Sequence, residues 1–248
     1  MISTTYLATL VAAPVASVAS VDLQAIASTK DMWEKALLTL LSTFIGAMLA
    51  FITQIFLRKR EERKVEQLAA HRIMFCLFQQ MNTIVLFQRE RIEPALNSPA
   101  KFIEIPAALD FDISTNLFDF ASFGFLLKSG KGRQLMYDLH LAQECYITTL
   151  RAINERSRMH KDLLQPKLSE IGFEAGIPVS LQNFIKSLGP RVHGTMVNST
   201  DQMISQLQYS FEKLSTAKLA FRIFAVSYFK TNNFTEFEFS ETYGLTPI

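Results

Sequence analysis

The sequence predicts an all-α membrane protein: a single transmembrane helix leads into a cytoplasmic antiparallel bundle of four or five helices, followed by a short extended C-terminal tail. Three observations predict it. An uncharged stretch runs from Ala36 to Leu57. A basic run, Arg58-Lys-Arg-Glu-Glu-Arg-Lys64, follows at once. Beyond it lie long segments with apolar residues at helical spacing and no repeat of fixed period.

Composition points the same way. Of the 248 residues, 49% are hydrophobic and 19% charged, the first at the top of the usual range for a soluble domain and the second below it. A membrane span together with a packed core explains both. The net charge of +2 excludes a strong attractive field for nucleic acid over the whole chain. The 21 phenylalanines belong mostly in a core, because each buries a large apolar area. Cys76 and Cys145 form neither a disulfide framework nor a metal-ligand pair. They read as reduced thiols packed as small hydrophobes, which suits a reducing cytoplasm.

The uncharged stretch of 22 residues, Ala36 to Leu57, makes a helix of about 33 Å, against a hydrocarbon layer of about 30 Å. Trp33 precedes it at interface depth. Five of the seven residues from Arg58 to Lys64 are positive. Fewer charges precede the span, so the positive-inside rule puts Arg58 onward in the cytoplasm and the N-terminus outside. Arg58, Lys59, Arg60, Arg63 and Lys64 are therefore candidates for contact with anionic lipid, at ~1 kcal/mol each. The alternative is a buried helix of a soluble protein, which leaves the abrupt basic flank unexplained.

Upstream, Tyr6 to Val21 is apolar and interrupted by Pro14, with no positive n-region. It has three readings: a disordered or loosely helical outer tail, a weak second span, or an atypical cleaved signal. The tail is favoured, giving segments 1–32 (extracytoplasmic tail), 33–57 (transmembrane helix), 58–94 (juxtamembrane helix entering the bundle), 95–230 (bundle) and 231–248 (tail). Within the span, Ser42, Gly46 and Ala50 recur every four residues and Gln54 continues the row, with Thr39, Thr43 and Ala47 beside it. Small residues at this spacing let two helix backbones approach closely in lipid, and an amide in hydrocarbon seeks a partner. The row therefore predicts self-association.

No Gly or Pro occurs between Arg58 and Glu93, so one helix is expected to run to Pro94. Its segment Ile73 to Phe87 is apolar nearly all round and should be buried. Gln79, Gln80, Asn82 and Thr83 interrupt it; they are expected to face solvent, with a polar seam as the alternative. The Phe-rich stretch Phe111 to Leu127 is expected to be a helix capped near Ser114. Ser129 to Gly132 reads as a turn. Arg133 to Leu164 is an amphipathic helix ended or kinked by Pro166. Ser180 caps a short helix to Leu188, Gly189-Pro190 stops it, and Val192 to Phe229 is the last long helix. Glu236-Phe-Glu-Phe-Ser240 alternates like an edge strand or an extended arm.

Chemical motifs are sparse. His71, His140, His160 and His193 are scattered and lack metal-ligand spacing, so neither metal nor cofactor is expected. Gly124 to Gly132 misses the phosphate-binding loop by one residue and lacks the Ser or Thr that would hold magnesium. Arg151, Glu155, Arg156, Arg158, His160 and Lys161 form a polar run, read as a solvated face that leaves RNA or lipid-phosphate contact open. Arg133-Gln-Leu-Met-Tyr-Asp-Leu-His140 resembles the Arg-x4-6-His pattern of HEPN ribonucleases. The resemblance implies that Arg133 clamps phosphate and His140 acts as general acid or base across a dimer.

The expectation is thus a non-enzymatic, single-pass protein of the bacterial inner membrane. It self-associates and uses its cytoplasmic bundle to sense or bind a partner. Its expected partners are the bilayer, further copies of itself and a cytoplasmic protein. The layout is similar to membrane-disrupting effectors of anti-phage systems, some of them retron-associated. A membrane-tethered HEPN-type ribonuclease and a membrane scaffold are the alternatives.

Overall fold

The computed structural model describes residues 18–172 and 180–234, with side-chain surroundings from Met32 onward. Among these residues the regular structure is entirely helical. Six α-helices occur in order: α1 (Val18–Phe87), α2 (Lys101–Glu104), α3 (Gly130–Met159), α4 (Gln165–Glu170), α5 (Leu181–Leu188) and α6 (Pro190–Phe229). The chain divides into two units, Met1–Glu62 and Arg63–Ile248.

The described part of the first unit is helical throughout. It starts at Val18, well ahead of Ala36, so residues 18–32 are helical. The readings for residues 6–17 lie outside the described residues. Every residue from Met32 to Glu62 is exposed. The helix is long and apolar enough to cross a membrane, and none of its most apolar window is buried.

The second unit holds the core. The main cluster joins Ile73, Leu77, Met81 and Ile84 of α1 to Leu139, Tyr146 and Leu150 of α3 and to Leu207, Leu214 and Phe221 of α6. A satellite cluster joins Phe102, Leu164, Phe184, Leu188 and Met196. Helix ends follow local chemistry. α1 gives way to a π-helical turn at Gln88–Ile92 and a 3-10 turn at Glu93–Ala95, because Pro94 has no N–H to continue the ladder. The Ser129 hydroxyl accepts the Gly132 N–H at 3.0 Å and caps α3. Gly189 takes φ +79° between α5 and α6, and Pro190 opens α6. Ser180 precedes α5 without a side-chain cap bond. Lys230, in the left-handed region, closes α6.

Three expectations need correction. Phe111 to Leu127 is not a helix: it has turns at 113–116 and two short 3-10 pieces, Phe120–Phe123 and Leu126–Lys128. Ser114 bonds back to the Asp112 carboxylate at 2.9 Å and 2.7 Å instead of capping. α3 stops at Met159, and a π-helical turn at His160–Leu164 leads into α4, which carries Pro166 in its first turn. Gln80 is fully buried rather than solvent-facing. Phe234 is buried against His71 and Phe229. The expected strand or arm at 236–240 lies outside the described residues.

Candidate functional site

In the first unit, the hydroxyls of the apolar helix bond to its own backbone. Thr39 donates to the Lys35 carbonyl at 2.8 Å, Ser42 and Thr43 both donate to the Thr39 carbonyl, and Thr53 donates to the Leu49 carbonyl. A helix surrounded by hydrocarbon has to satisfy its polar groups this way. A Cβ added at Gly46 would meet nothing within 4 Å, so the row Ser42, Gly46, Ala50 and Gln54 presents an open, shallow track. Ala36, Thr39, Thr43 and Ala47 line a groove beside it. In the basic run that follows, Arg58 pairs with Glu62 at 3.0 Å. Lys59, Arg60 and Lys64 are exposed.

The second unit contains a set of buried polar side chains that helix periodicity did not reveal. An irregular connection, residues 105–118, lies along α1 and α3 as a strap. With little secondary structure of its own, its backbone needs other partners. The Asn154 amide accepts the Phe111 N–H and donates to the Phe111 carbonyl, both at 2.9 Å. The Ser157 hydroxyl accepts the Ala108 N–H at 3.0 Å. The Gln143 carbonyl oxygen accepts the Phe118 N–H. Gln80 and the Cys76 thiol both donate to the Asn116 carbonyl, at 2.7 Å and 2.9 Å. Burial pushes the Cys76 thiol up to about 12.

Arg156 is the strongest member of this set. It is 1% exposed, which overturns its placement on a solvated face. Its guanidinium donates to the carbonyls of Pro106 at 2.9 Å, Phe102 at 3.1 Å and Ile105, and more weakly to the Thr200 hydroxyl at 3.4 Å. No carboxylate is among these partners. Burial lowers its pKa to about 10, so it stays charged at neutral pH. One turn on, His160 is 5% exposed, and its Nδ1 has no partner among the described residues. Burial, then the neighbouring Arg156 charge, lowers its pKa, with a hydrogen bond donated by the ring to the Ile103 backbone opposing. Arg151, Glu155, Arg158 and Lys161 do face solvent.

The Arg133 and His140 side chains are not brought to one another. Arg133 turns back toward the Leu127 carbonyl at 3.5 Å. The His140 ring packs edge-on against Phe120, with centroids 5.5 Å apart.

A third feature lies at the end of the second unit where the chain enters it. Arg63 donates to the Tyr228 carbonyl at 3.3 Å. Glu66 pairs with Lys128 and accepts the Tyr228 hydroxyl at 3.2 Å. Burial and the Glu66 charge raise the Tyr228 pKa. Beside them, an open groove of about 830 Å³ runs between the first turns of α3 and the last turns of α6. Lys131, Gln134 and Asp138 line one side, and Ile223, Phe224 and Tyr228 the other.

Among the described residues, no three His, Cys, Asp or Glu side chains converge as a metal site would require. No known protein-family model matches the chain, and no curated protein or solved structure matches it either.

Proposed function

We propose that the chain is a single-pass protein of the bacterial inner membrane, N-terminus outside, that self-associates through Ser42, Gly46, Ala50 and Gln54 and presents an antiparallel helical bundle to a cytoplasmic partner. The observation that carries this reading is the uncovered apolar helix of the first unit, whose hydroxyls are already bonded to its own backbone. Water does not favour such a surface, and lipid does. The small-residue row then offers the close backbone approach that drives helix association in lipid. Support for the antiparallel arrangement comes from the order of contacts: Thr149 meets Gln206, whereas Arg156, further along α3, meets Thr200, earlier on α6.

Crosslinking of the full chain in native membranes tests the association. Gly46→Ala should preserve the oligomer and Gly46→Leu should weaken it, because the site is open and a large side chain disturbs nothing within the single helix. An unchanged crosslinking pattern in Gly46→Leu would remove this face as the interface. Protease added outside intact cells should leave the bundle whole, and its digestion would reverse the orientation. If the assembly acts as a membrane-disrupting effector, overexpression admits dye and Gly46→Leu suppresses the uptake. Intact membrane potential would favour a scaffold instead. Among the described residues of the second unit, no contact favours the ribonuclease alternative.

A further inference from the structure

The entry end of the bundle carries an unusual combination of exposed groups. Arg63, Lys64, Lys128, Lys131, Arg133 and Lys230 come from α1, from the connection before α3, from the start of α3 and from the end of α6. Contacts bring them to one end: Arg63 reaches Tyr228, Lys128 reaches Glu66, and Lys131 and Tyr228 line the same groove. Glu66 and Asp138 are the acidic residues facing this groove and its ion pairs. Two large apolar side chains stand among the cations, Leu127 at 50% exposed and Ile223 at 64%.

We propose that this end of the bundle rests on an anionic lipid surface, with Leu127 and Ile223 entering the headgroup layer and the surrounding Lys and Arg side chains meeting lipid phosphates. The inference rests on the membrane reading above. Two facts select lipid as the occupant. Cations ringing exposed apolar residues fit an interface that is anionic outside and apolar beneath. In addition, Arg63 lies only six positions after Leu57, a tether of at most about 20 Å even when fully extended. A bundle held that close meets the lipid surface at high effective concentration. Each phosphate-facing cation should then favour the docked state by about fivefold.

Tryptophan quenching in vesicles of brominated phosphatidylcholine, with and without phosphatidylglycerol, tests this on the full-length chain. The native Trp33 reports on the span. Ile223→Trp and Leu127→Trp, each in a Trp33→Phe background, report on the proposed surface. Leu109→Trp in the same background is the control: Leu109 is 89% exposed, and its neighbour Ala108 is bonded to Ser157, near the opposite end of α3. The expected result is loss of emission from the Ile223 and Leu127 reporters in anionic vesicles, little in neutral ones, and none from the Leu109 reporter. Lys131→Gln with Arg133→Gln should raise the phosphatidylglycerol fraction needed. Surface reporters that remain as bright as the control while Trp33 is quenched overturn the proposal and leave the span standing. Equal quenching in neutral vesicles overturns it too. An unquenched Trp33 removes the membrane reading itself.

Discussion

Arg156→Ala is the most informative perturbation of the second unit. The wild-type guanidinium serves the carbonyls of Phe102, Ile105 and Pro106 from a position 1% exposed. Removing it leaves two buried acceptors, the Phe102 and Ile105 carbonyls, without this donor at about 1–3 kcal/mol each, while the part-buried Pro106 carbonyl can turn to water. Two effects oppose this. The cavity admits water to some of the carbonyls, and a buried charge with no carboxylate beside it disappears. The net loss should be about 3 kcal/mol. For a domain of this size that lowers the melting temperature by roughly 6–12 °C. Near-ultraviolet circular dichroism of the detergent-solubilised chain measures the melt, and hydrogen exchange over residues 102–118 measures whether the strap lifts first. Thr200→Val removes only the 3.4 Å contact and should cost less than about 1 kcal/mol. If Arg156→Ala melts within about 2 °C of wild type and strap protection is unchanged, Arg156 does not latch the strap.

Three further predictions follow from single contacts. His160 has a folded-state pKa below its ordinary 6.5, so the unfolded chain takes up that proton first as the pH falls; stability is full above about 6.5 and declines toward the folded pKa. His160→Gln should flatten that decline in melts compared between about pH 8 and pH 5, and an equally steep decline would exclude His160 as its source. Gly132→Ala would place a Cβ 2.1 Å from the Leu126 carbonyl oxygen, a backbone clash expected to cost about 1–3 kcal/mol, whereas Gly130→Ala, with its nearest atom at 3.9 Å, should be tolerated. The Cys76 thiol, pushed up to about 12, is almost entirely protonated near pH 8; iodoacetamide should modify it only on unfolding, and stoichiometric labelling of the folded chain would contradict the buried geometry.

The long helices were legible because their apolar residues repeat at helical spacing and their ends carry strong punctuation. Leu181–Leu188 is followed by Gly189-Pro190, and α3 follows Ser129. The apolar helix of the first unit is readable from charge alone. The strap was not legible, for a physical reason. Its phenylalanines mimic a helical pattern, but its backbone is satisfied by side chains distant in sequence, such as Asn154 and Arg156. A local pattern carries no information about such partners. One signal was available: Gln80, Gln143 and Arg156 occupy positions on the inward faces of their helices, and polar residues there require something to bond. Pro106 and the turn-forming Asp112-x-Ser114 also argued against a continuous helix. The arrangement around Arg133 depends on a carbonyl six residues earlier, so the eight-residue motif alone did not determine where that side chain goes.

The internal hydroxyl bonds at Thr39, Ser42, Thr43 and Thr53 also bear on biogenesis. If the chain spans a membrane as proposed, a segment whose alcohols are already occupied needs no neighbour to satisfy them, and each copy can enter the bilayer alone. The proposed self-association would then be a later, reversible event governed by copy number. Assembly of this kind responds to expression level, with no chemical change to the protein.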